Sequence, residues 1–302
     1  MIIQDTSYKN YLDPAVVSKL NTIELKAKMV VEGFMVGMHK SPYHGFSVEF
    51  SEHRPYMQGD PIKNIDWKVY GKSERFYVKQ YEEETNLISH VLLDTSRSMA
   101  FKHSGVVSKL EYGGILAASL MYLMLKQQDA AGIVLYSDEI ETYMPPKSQR
   151  TYLSPLLRAI AAVEPTNKTN TALCLNKISE KIKRRGLVVV ISDFFDDPET
   201  VIAALKRFHF KKNEIIVFQL LDPIEKSFAF GKDSIFIDME TREELTTQPG
   251  QIQKAYQETM GEFLNKIKTE CRNSGIEYNL ITTDTPFDKA LLNYFKKRAK
   301  LV

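Results

Sequence analysis

The sequence predicts an α/β fold: a doubly wound, mostly parallel sheet over residues 88–302, preceded by a smaller helix and β-hairpin region over residues 1–87. Three observations lead there. Short apolar runs rich in branched residues, such as Val91-Leu92-Leu93 and Leu187-Val188-Val189-Val190-Ile191, have the pattern of strands buried on both faces. Helical patterns alternate with these runs, which calls for a parallel sheet covered on both sides. Before Ile88 the texture differs, with Gly and Pro punctuation between short alternating segments.

In chain order, Asp13 and Pro14 open a helix expected to reach about Val31. The stretch from Gly37 to Phe50 suggests β-hairpins, and Phe76–Tyr81 a strand. Trp67 is most simply a packing anchor, while Asp60 and Asp66 are turn residues or an interaction site. His39, His44 and His53 lack Cys or carboxylate neighbours at ligand spacing and read as surface or hydrogen-bonding histidines. From Ile88, a strand ends at Asp94, and Ser108-x-x-Glu111 is a capping box for a helix to Gln127. Ala131–Tyr136 is the next strand, with Glu139–Met144 as an antiparallel edge. Helices over 151–163 and 171–185, a strand over 187–193, a helix over 199–208 and a strand over 214–221 follow. A helix over 252–271, a strand over 277–283 and a helix over 287–300 complete the alternation.

Composition excludes several classes. The chain of 302 residues is 43% hydrophobic and 26% charged, as in ordinary globular proteins. A net charge of +2 is too small to argue for nucleic acid, and Lys-rich spots such as Lys181–Arg185 sit where helix patterns end. Cys174 and Cys271 lack metal or redox spacing and read as reduced thiols. The first residues do not form a signal-peptide pattern, and the apolar run Ile115–Leu125 is too short for a bilayer. A cytoplasmic protein without membrane insertion is expected.

The chemistry gathers where strands end. Asp94-x-Ser96-x-Ser98 follows a buried strand and sets three oxygen-bearing side chains at alternate positions. Oxygen ligands favour Mg²⁺ or a similar hard cation over zinc; a turn with a helix cap is the other reading of so short a pattern. Ligands of doubly wound sheets bind beyond the strands' carboxyl ends, where the winding reverses. The strands ending at Asp94 and Asp193 are the candidates to flank that crevice, and Asn167–Thr171 opens a helix between them.

Asp94, Ser96, Ser98, Thr169 and Asp193, in this order and spacing, resemble the metal-ion-dependent adhesion site of von Willebrand factor A domains. The resemblance implies a site for Mg²⁺ or Mn²⁺, with hydroxyls from Ser96, Ser98 and Thr169 and carboxylates of Asp94 and Asp193 close by. The Gly often found before the threonine is absent, which leaves Thr171 as a rival to Thr169. Upstream, Arg54-x-Tyr56-x-x-Gly59-Asp60, Ile65-Asp66-Trp67 and Glu82-Glu83-Glu84 resemble the prokaryotic DUF58 proteins. That resemblance implies a MoxR-type AAA+ ATPase as partner. A metal with an open position can in turn accept an acidic side chain from a client protein.

The leading expectation is thus a metal-dependent binding module without turnover. The alternative is a Mg²⁺-dependent phosphohydrolase using Asp94 as nucleophile. That chemistry usually wants a second acid two residues on, and the position holds Ser96. No Walker pattern or Gly-rich phosphate loop is present. A third reading keeps the polar cluster purely structural.

Overall fold

The computed structural model describes residues 12–39, 53–55, 67–73, 75–79, 87–165, 170–230, 234–237, 244–247 and 249–298. The chain divides into two compact units: residues 42–85, and residues 1–41 together with 86–302.

The amino-terminal helix is broken. Asp13 caps α1 (Pro14–Val17), its Oδ1 accepting from the Ala15 amide at 2.8 Å. The Ser18 hydroxyl then turns back to the Ala15 carbonyl, and Thr22 accepts from the Leu25 amide to start α2 (Ile23–His39). Polar side chains that bond their own backbone favour such breaks over a continuous helix. α2 also runs past Val31 into the stretch read as hairpin; residues 40–50 of that stretch lie outside the described residues.

In the smaller unit, β1 (His53–Pro55) pairs antiparallel with β2 (Tyr77–Lys79), and α3 (Trp67–Ser73) lies between them in sequence. Trp67 is not a buried anchor: it is 58% exposed and meets Tyr70 edge-on. Asp60 and Asp66 lie outside the described residues.

The larger unit is built on a sheet. β3 (Ile88–Asp94) leads through a 3-10 turn, Arg97–Ala100, into α4 (Lys109–Lys126). β4 (Ala130–Tyr136), β5 (Ile140–Lys147), α5 (Leu153–Ala161), α6 (Thr171–Lys181) and β6 (Leu187–Ser192) follow. Then come α7 (Pro198–Phe210), β7 (Glu214–Leu221), α8 (Pro223–Ser227) and the hairpin β8 (Ser234–Ile237) with β9 (Glu244–Thr247). α9 (Pro249–Asn273), β10 (Glu277–Thr282) and α10 (Phe287–Arg298) end the described chain.

The sheet order is β10-β7-β6-β3-β4-β5, parallel except for the edge strand β5. After β3 the chain winds outward through β4. It then returns to β6 on the other side of β3 and proceeds to β7 and β10. The winding therefore reverses between β3 and β6, which opens a crevice beyond their carboxyl ends.

Alternation along the strands fills two cores. Leu92, Val134, Val190 and Val217 pack with α6, α7 and the inner side of α9. On the opposite face α4 crosses β3 and β6 so closely that a Cβ at Gly113 would meet Leu93 at 3.0 Å and Ile191 at 3.2 Å. α2, α5 and α10 pack around α4. Here Lys26 reaches Glu111 at 2.6 Å, and Phe34 stacks on Phe295. The expected capping box is half made: Ser108 accepts from the Glu111 amide, but the Glu111 carboxylate is held by Lys26. Among the described residues, no helix is long and apolar enough to cross a membrane.

Candidate metal centre

The crevice between β3 and β6 holds the two strand-end aspartates. Leu93 is in register with Ile191, so Asp94 and Ser192 leave the sheet side by side. The Ser192 hydroxyl donates to Asp94 Oδ2 at 2.6 Å, and the Ser96 amide donates to Asp94 Oδ1 at 2.9 Å. These bonds fix the carboxylate and bend the chain away from the sheet. The Thr95 amide and hydroxyl both donate to the Tyr136 carbonyl, which ties the bend to β4. With the backbone so held, the Ser96 and Ser98 hydroxyls lie 3.1 Å apart.

Asp94, Ser96 and Asp193 are fully buried. Burial and the neighbouring negative charge of Asp193 push the Asp94 carboxyl up to about 7, although its bonds from Ser192 and Ser96 favour the charged form. Asp193 is fixed through the Gln219 amide, which donates to its carbonyl at 2.7 Å, and through the Phe195 amide on its Oδ1.

A cation already stands beside it. Lys109 Nζ, fully buried, is 2.8 Å from Asp193 Oδ2 and 2.6 Å from Glu225 Oε1. Its ammonium also lies 4.7 Å from the Phe195 ring centroid. Burial pushes the Lys109 ammonium down, but Asp193 and Glu225 more than offset this and hold it above the usual lysine value. Glu225 in turn is raised by burial, against the pull of Lys109. It belongs to a capping box with Asp222, whose carboxylate accepts from the amides of His103, Ser104, Gly105 and Ile224. The loop after the 3-10 turn is thereby pinned to the start of α8.

Of the rival threonines, Thr169 lies outside the described residues. Thr171, the first residue of α6, is fully buried, and its Oγ1 has no hydrogen-bond partner among the described residues. Such a hydroxyl is costly to bury unless something accepts or coordinates it.

These residues fit a hard divalent cation. Among the described residues no three His, Cys, Asp or Glu side chains converge to hold an ion, and an ion held here would need hydroxyl oxygens in its set. Ser96, Ser98 and the orphaned Thr171 hydroxyl are of that kind, and oxygen-only donors suit Mg²⁺ or Mn²⁺. Charge agrees with donor type: Lys109 is one cation against the carboxylates of Asp94, Asp193 and Glu225. The buried excess of negative charge calls for a proton or a further cation.

Residues 52–262 match the family described as "Protein of unknown function DUF58", more than half of the sequence. The chain belongs to the DUF58 family. This DUF58 chain is also similar to the uncharacterized proteins Mb1516 of Mycobacterium bovis and Rv1480 of Mycobacterium tuberculosis. Each is 25% identical over 237 residues, spanning 76% of this chain and 72% of the relative. Among solved structures it is similar to the conserved hypothetical protein BatB from Bacteroides thetaiotaomicron, with TM-score 0.47 and 15% identity over 70% of this chain and 98% of that one. Another is the SpRpn10 VWA domain, with TM-score 0.38 and 11% identity over 69% and 95% of the two chains.

Sequence reading of the DUF58 chain missed Lys109, Ser192 and Glu225. Lys109 did carry a signal: it is a basic residue in the first turn of a helix, where the dipole disfavours a cation. Ser192 and Glu225 gave none, since their roles depend on partners 98 and 116 residues away in sequence.

Proposed function

We propose that this DUF58 protein is a divalent-metal-dependent protein-binding module. It acts without turnover, as adaptor or partner of a MoxR-type AAA+ ATPase, in chaperone-like assembly or activation of protein complexes. The observation that carries the reading is the juxtaposition of Asp94, Asp193 and the Ser96–Ser98 hydroxyl pair at the point where the sheet's winding reverses.

Asp94 and Asp193 supply the negative charge, and Ser96, Ser98 and Thr169 or Thr171 supply neutral oxygens. A bound Mg²⁺ or Mn²⁺ offers an acidic side chain of a client a coordination position that amide and hydroxyl donors alone would not. The Ser192, Ser96 and Lys109 contacts hold both carboxylates in place, so little ordering remains to be done on binding. Exposed apolar side chains stand close by in the chain: Val106 follows the segment pinned by Asp222, and Leu173 lies in the first turn of α6, two residues beyond Thr171. They suit a protein partner better than a small polar substrate. The same reading puts the protein in the cytoplasm.

Pull-down of the MoxR-type ATPase or its client, with Mg²⁺ and with EDTA, tests the proposal. Capture that needs the metal and fails for Ser96→Ala with Ser98→Ala is expected. Capture indifferent to both would remove the site's assigned role. Phosphatase turnover lost in Asp94→Asn would instead establish the phosphohydrolase alternative.

A further inference from the structure

At the opposite end of the sheet, beside the amino-terminal ends of β3 and β4, lies a cleft of about 520 Å³. Four cationic side chains line it: Lys147 at the end of β5, Lys181 in the last turn of α6, and Lys183 and Arg184 in the loop that follows. None of the four forms an ion pair among the described residues, and no acidic side chain lines the cleft. Lysines that end a helix can be explained by its dipole. Lys147 arrives instead from an antiparallel edge strand, and its ammonium lies 4.8 Å from the Tyr152 ring centroid.

A second observation points inward. His90, on the face of β3 that packs towards α6, lines the same cleft while only 5% exposed. Its Nδ1 is buried without a hydrogen-bond partner among the described residues. As a buried polar atom it is left unsatisfied, whichever tautomer the ring adopts. The remaining walls are Ile88, Ala130, Pro146, the polar Ser148 and the half-buried Tyr143 ring, with Lys181 Nζ 5.8 Å from that ring's centroid.

We propose that this cleft binds a phosphorylated small molecule with a flat body, of the nucleoside phosphate class, with Lys147, Lys181, Lys183 and Arg184 on the phosphates. Clustered cations without carboxylate partners suit phosphate oxygens, which accept several charge-assisted hydrogen bonds. Tyr143 and the apolar walls suit a base, and the volume falls within the range of small-molecule sites. The cleft shares no residue with the metal centre, so the two proposals stand or fall separately.

Calorimetric titration of the full chain with ADP, pyrophosphate, adenosine and a single-stranded dodecanucleotide, in EDTA and low salt, tests it. ADP should bind with one-to-one stoichiometry, pyrophosphate more weakly, and adenosine not measurably. Lys181→Ala with Arg184→Ala, both at exposed positions, should weaken ADP by about tenfold or more without lowering the melting temperature. Ser96→Ala with Ser98→Ala should leave ADP binding unchanged. Absence of saturable binding by ADP and pyrophosphate would overturn the proposal. So would ADP affinity unaffected by the double substitution, or tighter binding of the dodecanucleotide than of ADP.

Discussion

Lys109 Nζ lies 2.8 Å from Asp193 Oδ2, and both side chains are fully buried at the mouth of the sheet's central crevice. The lysine therefore plays two parts. It supplies the counter-charge to a fully buried carboxylate, and on the proposed reading it would compete with a metal ion for one of that carboxylate's oxygens.

Replacing Lys109 with Met should separate these parts. Breaking a buried pair by removing one partner typically costs about 3–5 kcal/mol, because the remaining charge is left uncompensated. The Lys109→Met protein should thus be less stable in urea by about that amount when metal is withheld. Added Mg²⁺ or Mn²⁺ should recover part of the loss, since Asp193 then has an open oxygen and a metal that binds only the folded state stabilises it. Equal loss with and without metal would show that Lys109 and the ion do not share Asp193.

Asp222 is the pin of the neighbouring loop, accepting amide hydrogens from His103, Ser104, Gly105 and Ile224. Burial pushes its carboxyl up, and these four amides outweigh that and hold it below the usual carboxylate range. Asp222→Ala should cost about 2–4 kcal/mol, as buried amides lose their acceptor and α8 its cap. Amide hydrogen exchange should accelerate at residues 103–105 more than along β3. Uniform acceleration would mean a global loss of stability, without a specific role for the pin.

Burial lowers His90 to about 4, well below the ordinary histidine value of 6.5. The unfolded chain therefore takes up this proton first as pH falls. His90's contribution to stability is complete above about 6.5 and is lost as pH falls towards 4. The loss amounts to about 3 kcal/mol over that interval. Asp94 acts in the opposite sense: its raised value, about 7, means the folded state binds the proton first, so stability rises as pH falls through 7. Only a comparison isolates the histidine. Between pH 7 and 4.5, His90→Leu should lose less stability in urea than the wild type; parallel losses would refute the assignment.

Much of this organisation is legible in the residues. The runs ending at Asp94 and Asp193 are buried on both faces and become β3 and β6, the neighbours between which the winding reverses. β5 forms the antiparallel edge that follows Tyr136. Other features depend on competition that local pattern does not show. The break after Val17 is decided by Ser18 and Thr22 bonding to the backbone, where helical periodicity alone favours continuity. Glu111 has the spacing of a reciprocal cap but bonds to Lys26, 85 residues away in sequence. Trp67 has the bulk of a core residue yet is mostly exposed. The short strands β8 and β9 are too brief for alternation to announce them. Lys109, placed against its helix dipole, makes sense only once Asp193 and Glu225 are brought to it.

On the function proposed above, the crevice between β3 and β6 holds a divalent cation through Asp94, Ser96, Ser98 and Asp193. Titration of metal-free protein with Mn²⁺, followed by the electron paramagnetic resonance of the free ion, tests it most directly. The wild type should take up one Mn²⁺ that Mg²⁺ displaces. Ser96→Ala with Ser98→Ala, which removes neutral oxygens and leaves the charge pattern intact, should weaken that uptake by about tenfold or more. Uptake of equal strength in wild type and variant, or none in either, would mean that these side chains hold no ion.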